Sequence, residues 1–499
     1  MKSTLKSLVL CIFAFALSGP AWGAATPEPQ AQPALTVYNG NFAVVRESVP
    51  LDLKAGENAI TFAGVTVHLE PDSVVLRDPA GEVPFQVLEQ SYRADTVSQG
   101  LLLSLHEGKE IEFLVRDRDQ KEYTVTGRVV RSGYVPGGQT RPGEFVSPLI
   151  EVDGKLRFSL PGEPIFPALN DDAILEPTLT WTIAAERAAK LDAELSYITA
   201  GMNWQAAYNL IAPEKGDTID IIGWVTIENH SGKTFDNAVI KLMAGDVSKI
   251  QEAQPLMRRD MEYAVAQQIA PPPVTEKAFD EFHLYSIARP TTLRDRETKQ
   301  VEFIRATGVK AQTLYIYDGA AIDPRRYGGW NTEMIRNDRD YGTQSNPKVW
   351  VMREFKNSEE NNLGQPLPKG RTRFYRRDDA DGRLEFTGEN TIDHTPKNEI
   401  VRIYTGDAFD VVGERKRTDY VMSGRNDSLD EAFEIKVRNR KDTPVEVRIV
   451  EHLYRWFNWE VLEKSHDFIE TDAQTIEFRV NVPADGETVV TYRVHYDWR

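Results

Sequence analysis

Eight histidines are the first candidates for catalysis or metal binding in this 499-residue chain. No two of them are spaced as HExxH or HxH, the short spacings that place two imidazoles on one metal ion. The serines show no GxSxG turn and no SxxK on a helical stretch, the local patterns that present a serine nucleophile. The sequence therefore predicts no catalytic residue, no metal site and no cofactor.

Carboxylates are abundant, with 76 Asp and Glu residues, but their spacing is not that of a known site. The run DDADG at 378–382 resembles a calcium loop, yet its first ligand position falls on Arg377. We interpret Asp381-Gly382 as a hairpin turn instead. A glycosidase would need two carboxyl groups about 5–10 Å apart in a cleft, and spacing along strands does not identify such a pair.

The densest basic cluster consists of Arg371, Arg373, Arg376 and Arg377. The period of two along a strand places Arg371 and Arg373 on one face. One interpretation is a docking patch for an anionic glycan, a lipid headgroup or an acidic partner. The other, which we favour, is an edge strand that its charges protect from pairing. The four arginines remain candidate ligand contacts.

The run YRWFNW at 454–459 is the most informative aromatic segment. On a strand, Trp456 and Phe457 would point to opposite faces, so a single core would not bury both. Either a neighbouring domain covers the second face, which we favour, or an aromatic surface is exposed. An exposed surface would stack on sugar rings, and both residues are therefore candidate ligand contacts.

The composition narrows the class of partner. The formal charge is −17 and the hydrophobic content is 41%, values typical of a folded protein with an acidic surface. This surface disfavours nucleic acid as a partner. After residue 23 no apolar run approaches the ~20 residues of a membrane helix, so we expect no transmembrane span.

The first 23 residues have the pattern of an export signal. Lys2 and Lys6 precede an apolar stretch at 8–17, and AWG at 21–23 has small residues at the two positions that a signal peptidase reads. The only cysteine, Cys11, lies inside this signal. We therefore expect a thiol-free mature protein in the periplasm, with secretion or outer-membrane association as the alternative.

Most of the remaining chain alternates with the period of β-strands, and turn signals separate the runs. The stretch 184–195 has good helix propensity, but we interpret it as a β-hairpin because its neighbours are strand-like. The prediction is an all-β, multidomain protein with a small β-barrel and β-sandwiches, the last of them immunoglobulin-like. The predicted segments are a signal peptide at 1–23, a disordered tether at 24–33, an N-terminal β domain at 34–95, a small β-barrel at 96–170, a β-sandwich at 171–309 with a flexible insertion at 248–277, and a C-terminal β-sandwich region at 310–499.

Several long segments resemble one known family. They include LSYITAGMNWQAAYNL at 195–210, WVTIENHSGKTFDNAVIKLMAGDV at 224–247 and HTPKNEIVRIYTGDAFDVVGERKRTDY at 394–420. Over roughly residues 178–499 the chain is similar to the domain-of-unknown-function family numbered 4139, which includes the mucoidy-inhibitor-A-like proteins. The resemblance implies an envelope protein and supplies no catalytic residues. Many members carry a long coiled coil before this region, where this chain has the predicted barrel.

Two functions follow as hypotheses. The first is a non-enzymatic module that binds or scaffolds an envelope protein or a glycan, with the insertion at 248–277 and the polar loop at 328–346 as contact elements. The second is a hydrolase of polysaccharide or peptidoglycan with acidic residues in an interdomain cleft. Carboxylates that face each other across a deep pocket, one with a raised pKa, would favour the hydrolase.

Overall fold

A computed structural model describes residues 32–117, 119–135, 147–167, 174–245, 274–279, 282–322, 324–425 and 427–498. The predicted signal peptide, the tether up to residue 31 and residues 248–273 of the predicted insertion lie outside these residues. Residues 274–277 of that insertion belong to a strand.

The described chain is built almost entirely of strands. In chain order the first of these are β1 (Ala34–Tyr38), β2 (Phe42–Leu53), β3 (Gly56–Ala63), β4 (Val75–Arg77), β5 (Phe85–Arg93), β6 (Glu110–Arg116), β7 (Glu122–Arg131), β8 (Leu149–Val152), β9 (Lys155–Arg157), β10 (Glu163–Ile165), β11 (Thr178–Ala185), β12 (Ala189–Ala200), β13 (Met202–Ala212), β14 (Thr218–Asn229) and β15 (Phe235–Ala244).

The later strands are β16 (Val274–Phe279), β17 (Phe282–Ile287), β18 (Thr291–Leu293), β19 (Glu297–Lys310), β20 (Gln312–Asp318), β21 (Lys348–Lys356), β22 (Gly370–Arg377), β23 (Leu384–Ile392), β24 (Ile400–Met422), β25 (Ser428–Asn439), β26 (Val445–His452), β27 (Trp459–Lys464), β28 (Phe468–Asp472), β29 (Thr475–Val482) and β30 (Gly486–Asp497). The helices are α1 (Gln99–Leu105), α2 (Pro324–Tyr327) and α3 (Thr332–Asn337).

Two facing sheets form the first sandwich. One sheet has the order β16-β17-β15-β1-β2-β12-β4, with β18 also paired to β15, and the other has the order β19-β14-β13-β22-β23. Alternating residues of β14, such as Ile219, Ile221 and Val225, are buried between the sheets. The indole of Trp204 on β13 donates to the carbonyl of Met243 on β15 at 3.0 Å and so joins the two layers.

The second sandwich is one nine-stranded sheet with the order β27-β30-β25-β24-β21-β20-β26-β29-β28. The sheet folds over, so that Phe478 on β29 lies 5.7 Å from Tyr492 on β30 between ring centroids. Its core is separate from that of the first sandwich. The all-β class and the sandwich character are thus confirmed.

The predicted small barrel is instead an open sheet with the order β10-β6-β7-β8-β9, and no closed barrel occurs in the described chain. The segment LLLSL at 101–105, within the region predicted as the barrel, belongs to helix α1. The hydroxyl of Ser98 accepts from the amide of Leu101 and caps its first turn. The predicted hairpin at 184–195 is also different. Strands β11 and β12 are present, but β11 pairs with β3 and β5 whereas β12 pairs with β2 and β4.

The sheets cross the predicted domain boundaries. Strands β1, β2 and β4 of the predicted N-terminal segment pair into the same sheet as β12 and β15. Strands β22 and β23 belong to the predicted C-terminal region but complete a sheet of the first sandwich. The chain does leave one sheet and enter another near residues 95 and 310, but the predicted segments on either side share sheets and are not separate units.

The two sandwiches repeat one strand order. In the first, β1 lies parallel to β15 and antiparallel to β2; in the second, β20 lies parallel to β26 and antiparallel to β21. The 23-residue strand β24 pairs first with β21 and then with β25. In the first sandwich two strands share this role, since β12 pairs with β2 and β13 pairs with β14.

A pair of asparagines confirms this correspondence at the level of side chains. Asn229 ends β14, and its amide donates to the carbonyls of Lys233, Leu293 and Arg294. Asn439 ends β25 and donates in the same pattern to the carbonyls of Thr443, Val482 and Pro483. The two asparagines therefore define equivalent positions in the two sandwiches.

Candidate functional site

Five charged side chains lie inside the second sandwich and are here called the buried charge network: Arg415, Arg417, Glu431, Glu451 and Arg455. The Nε of Arg415 donates to both carboxylate oxygens of Glu451, at 2.8 and 2.9 Å, and the two side chains are 3% and 0% exposed. The hydroxyl of Tyr492 donates to the same carboxylate at 2.5 Å. Burial raises the pKa of Tyr492 well above its usual value, so this hydroxyl stays protonated.

Glu431 is the second acidic centre of the network. It accepts from the Nε and Nη2 of Arg455 at 2.8 and 3.0 Å, and from Nη1 of Arg417 at 3.0 Å. Burial opposes the charge on Arg455, but Glu431 outweighs this effect and raises the pKa of Arg455. Each buried carboxylate therefore has an arginine within hydrogen-bond distance, as buried ions require.

The arginines of the network also hold a loop against the sandwich. Arg455 donates to the carbonyls of Ile335, Asp338 and Tyr341 at 2.7–3.1 Å. Arg415 donates to the carbonyl of Gly342 at 2.6 Å, and Arg417 donates to that of Arg339. The segment 335–342, part of the predicted polar loop, is thus fixed by backbone contacts and includes the end of α3.

The space beneath this loop is small. A cavity of about 20 Å³ lies beside the network and is lined by Tyr341, Arg415, Glu431 and His452, among others. This volume holds about one water molecule. The network is therefore a support for the loop and not a substrate pocket.

The outer side of the same region carries exposed aromatic rings. Residues 454–459, here called the aromatic turn, include a tight turn between β26 and β27 and do not continue β26 as a strand. Trp456 and Phe457 therefore do not point to opposite faces; their rings lie against each other with centroids 4.5 Å apart. Phe457 is 69% exposed, whereas Trp456 packs partly on the core.

Neighbouring side chains extend this surface. Tyr454 stacks on His452 at 4.7 Å between centroids. The guanidinium of Arg336 on α3 lies 4.9 Å from the ring centroid of Trp456 and 5.3 Å from that of Trp498. Arg455, between Tyr454 and Trp456 in the chain, is the buried anchor described above. The aromatic turn is therefore an exposed surface with a rigid base.

The arginine cluster lies on β22, which is an internal strand between β13 and β23. Our interpretation as a protected edge strand was therefore wrong. Arg371 and Arg373 share the outward face, as the period of two predicts, and Arg373 lies 3.8 Å from Glu389. Arg376 donates to the carbonyl of Glu214 at 3.1 Å, and Arg377 lies at the exposed end of the strand.

The cleft between the two sandwiches was the sequence-based candidate for a hydrolase. Its most enclosed carboxylate is Glu354, which accepts from Arg402 and Gln312. Burial alone would raise the pKa of Glu354, but these hydrogen bonds outweigh it and lower the pKa. A general acid needs the opposite shift.

The part of the chain that the structure describes contains no group of three His, Cys, Asp or Glu side chains arranged to hold a metal ion. Its helices are too short or too polar to cross a membrane.

Sequence reasoning missed the buried charge network. Its signal was present: Glu431 follows Leu429 and precedes Phe433 in the inward row of β25, and Glu451 ends the inward row of β26. An acidic residue in an otherwise apolar row indicates a buried partner. Which arginine provides that partner depends on the sheet pairing.

Comparison with known proteins identifies the family. The model of a domain of unknown function, DUF4139, matches residues 193–498, which is more than half of the chain. The match begins in β12 and covers the second sandwich. A search of curated proteins finds no match. On this extent of agreement, the chain belongs to the DUF4139 family.

Proposed function

We propose that the protein is an exported, non-catalytic binding module of the cell envelope whose aromatic turn contacts a glycan. The observation that carries the proposal is the exposed ring of Phe457 against the partly buried ring of Trp456, on a turn that the buried Arg455 anchors. Solvent-exposed aromatic surface of this kind normally serves recognition.

The geometry of the turn supports a ligand with flat, apolar faces and polar edges. Phe457 and Tyr454 offer ring surface, and Arg336 offers donors beside Trp456. A sugar ring has both properties. The buried charge network supports the proposal because a preorganised surface loses less conformational entropy when it binds.

The hydrolase alternative has less support. It requires a carboxyl group that is protonated near neutral pH beside a second carboxylate. The pKa of Glu354 is lowered, so this carboxylate is ionised and paired near neutral pH. The proposal therefore assigns no catalytic residue.

The test is co-sedimentation of the mature protein with peptidoglycan sacculi and with an insoluble polysaccharide. We expect binding by the wild type and loss of binding in the Tyr454→Ala/Phe457→Ala double variant. Phe409→Ala is the matched control, because Phe409 is 94% exposed on β24, away from the turn.

The outcomes separate the hypotheses. Equal sedimentation of the double variant and the wild type would contradict the role of the turn. Failure to bind either glycan, with recovery of a protein partner that depends on Tyr454 and Phe457, would replace the glycan by a protein ligand. Loss of binding in Phe409→Ala alone would place the contact on β24.

A further inference from the structure

A second feature, independent of the aromatic turn, lies where the two sandwiches meet. A cleft of about 640 Å³ opens between the ends of β14 and β19 on one side and β20 and β21 on the other. Its lining combines apolar surface from Phe355 and Ile400 with charged residues of both signs, namely Lys310 and Lys356 and the acidic residues Asp217, Glu354 and Glu360. The size is that of a site for a small molecule or a chain end.

The side chain of Arg353, which is only 6% exposed, reaches two residues of this lining. Its Nη1 donates to the carbonyl of Ala311 at 3.3 Å and lies 3.9 Å from the carboxylate of Asp217, which is 74% exposed. Ala311 and Asp217 both line the cleft. Within the described chain, Arg353 makes no other hydrogen bond or ion pair.

Arg353 differs from Arg415 and Arg455 in the distance to its counter-ion. Arg415 and Arg455 each have a buried carboxylate at 2.8 Å. Arg353 has no counter-ion at that distance, and burial together with the positive charge of Arg376 lowers its pKa. A buried charge without a close partner destabilises a fold, so an under-satisfied guanidinium next to a cleft needs an explanation.

We propose that the cleft binds an oxyanion, a carboxylate or phosphate group on a partly apolar ligand, with Arg353 as its buried counter-ion. The planar guanidinium has donors free for such a group. Lys310 and Lys356 add positive charge at the rim, and neither makes an ion pair among the described residues. Phe355 and Ile400 contact the apolar part of the ligand.

The test is thermal unfolding of the full mature chain at constant ionic strength, with inorganic phosphate or glucuronate replacing chloride. A ligand that binds only the folded state raises the unfolding midpoint, and the stabilisation grows with the logarithm of one plus the ratio of ligand concentration to Kd. We expect at least one probe to raise the midpoint. A response to phosphate indicates a phosphate group, and a response to glucuronate indicates a sugar carboxylate.

Arg353→Met keeps the side-chain length and removes the charge. We expect it to weaken anion binding by about tenfold or more and to unfold, without anion, at the same or a higher temperature than the wild type. Arg493→Met, at a partly exposed arginine of β30 that pairs with Asp419 outside the cleft, is the matched control and keeps the response.

If Arg353→Met does not fold, the Lys310→Gln/Lys356→Gln double variant is measured instead, because both lysines lie at the rim of the cleft. We expect this double variant to weaken anion binding several-fold. A wild type that responds to neither probe would overturn the proposal. So would an undiminished response in Arg353→Met, or in the lysine double variant if that variant is the one measured.

Discussion

Glu431 in the second sandwich occupies the position that Ile221 occupies in the first, eight residues before the equivalent asparagines Asn439 and Asn229. Both side chains are buried. The same strand order therefore forms with an apolar residue at this position in the first sandwich and with a buried carboxylate in the second. The first sandwich forms with Ile221 at this position, so the strand order does not require the charge of Glu431. The arginine partners of Glu431 show that it instead holds the loop at 335–342.

Removal of the charge of Glu431 should destabilise the second sandwich strongly. Glu431→Gln leaves two buried arginines without their counter-ion, and we expect a loss of about 3–5 kcal/mol in the free energy of unfolding. Urea denaturation measures this loss. Glu434→Gln, on the opposite face of the same strand, should cost less than about 1 kcal/mol because its ion pair is partly exposed. Equal effects of the two variants would show that burial of the pair is not what matters.

Loss of Arg455 should release the loop. Arg455→Met removes three hydrogen bonds to the carbonyls of residues 335–341, so the amides of Ile335 and Asp338 should exchange with deuterium faster. Arg455→Lys should release it nearly as much, because an ammonium group lacks the planar fork of donors. Arg383→Met, an exposed variant, is the control. Unchanged exchange in Arg455→Met would contradict the support role of the network.

The pair of His452 and Asp318 should make stability depend on pH. The hydrogen bond to Asp318 raises the pKa of His452 above its usual value. The charged imidazole therefore stabilises the fold fully below the unfolded pKa of about 6.5, and this contribution disappears as the pH rises through the folded value. The stability difference between the wild type and His452→Gln should be larger at about pH 5 than at about pH 8. A difference that grows towards high pH would contradict this sign.

The two equivalent asparagines should contribute similar amounts to the free energy of unfolding of their sandwiches. Asn229→Ala and Asn439→Ala each leave buried carbonyls without a donor, so we expect each to cost about 1–3 kcal/mol. Denaturation by urea, followed separately for the two sandwiches, measures the two losses. Asn209→Ala, on the outward face of β13, should cost much less. A large loss for only one of the pair would show that the repeated geometry does not imply repeated energetics.

The export prediction has a direct chemical test. Cleavage after Gly23 leaves a chain of 476 residues, which is 499 minus 23, that begins at Ala24 and contains no cysteine. Intact-mass measurement of the protein from its native cells should give this product in the periplasmic fraction. A product that retains Cys11 and remains in the cytosol would contradict both export and the envelope function.

Local pattern was sufficient for the most regular strands of the sandwiches. Strands such as β14 and β25 have a period-two pattern, and the apolar row of β14 identifies its buried face without any knowledge of its neighbours. The exception was α1, where leucine-rich sequence suits both states and the cap at Ser98 decides. The family resemblance likewise rested on local segments, and it was correct.

The sequence did not show which distant segments pair, because backbone hydrogen bonds between two strands form in the same way whatever their separation along the chain. Arg371 could not be assigned to an internal strand until β22 was seen between β13 and β23. Trp456 and Phe457 were assigned to opposite faces because the turn after β26 was not recognised.

The sequence by itself therefore determined the strand class, the inward rows and the family of this protein. Only the tertiary structure decided that Glu431 faces Arg455 and that Arg353 lies against residues of the cleft lining without a close counter-ion. The physical reason is that hydrophobic alternation is a property of one strand, whereas the partner of a buried charge comes from whichever chain segment the folded sheets bring within about 3 Å.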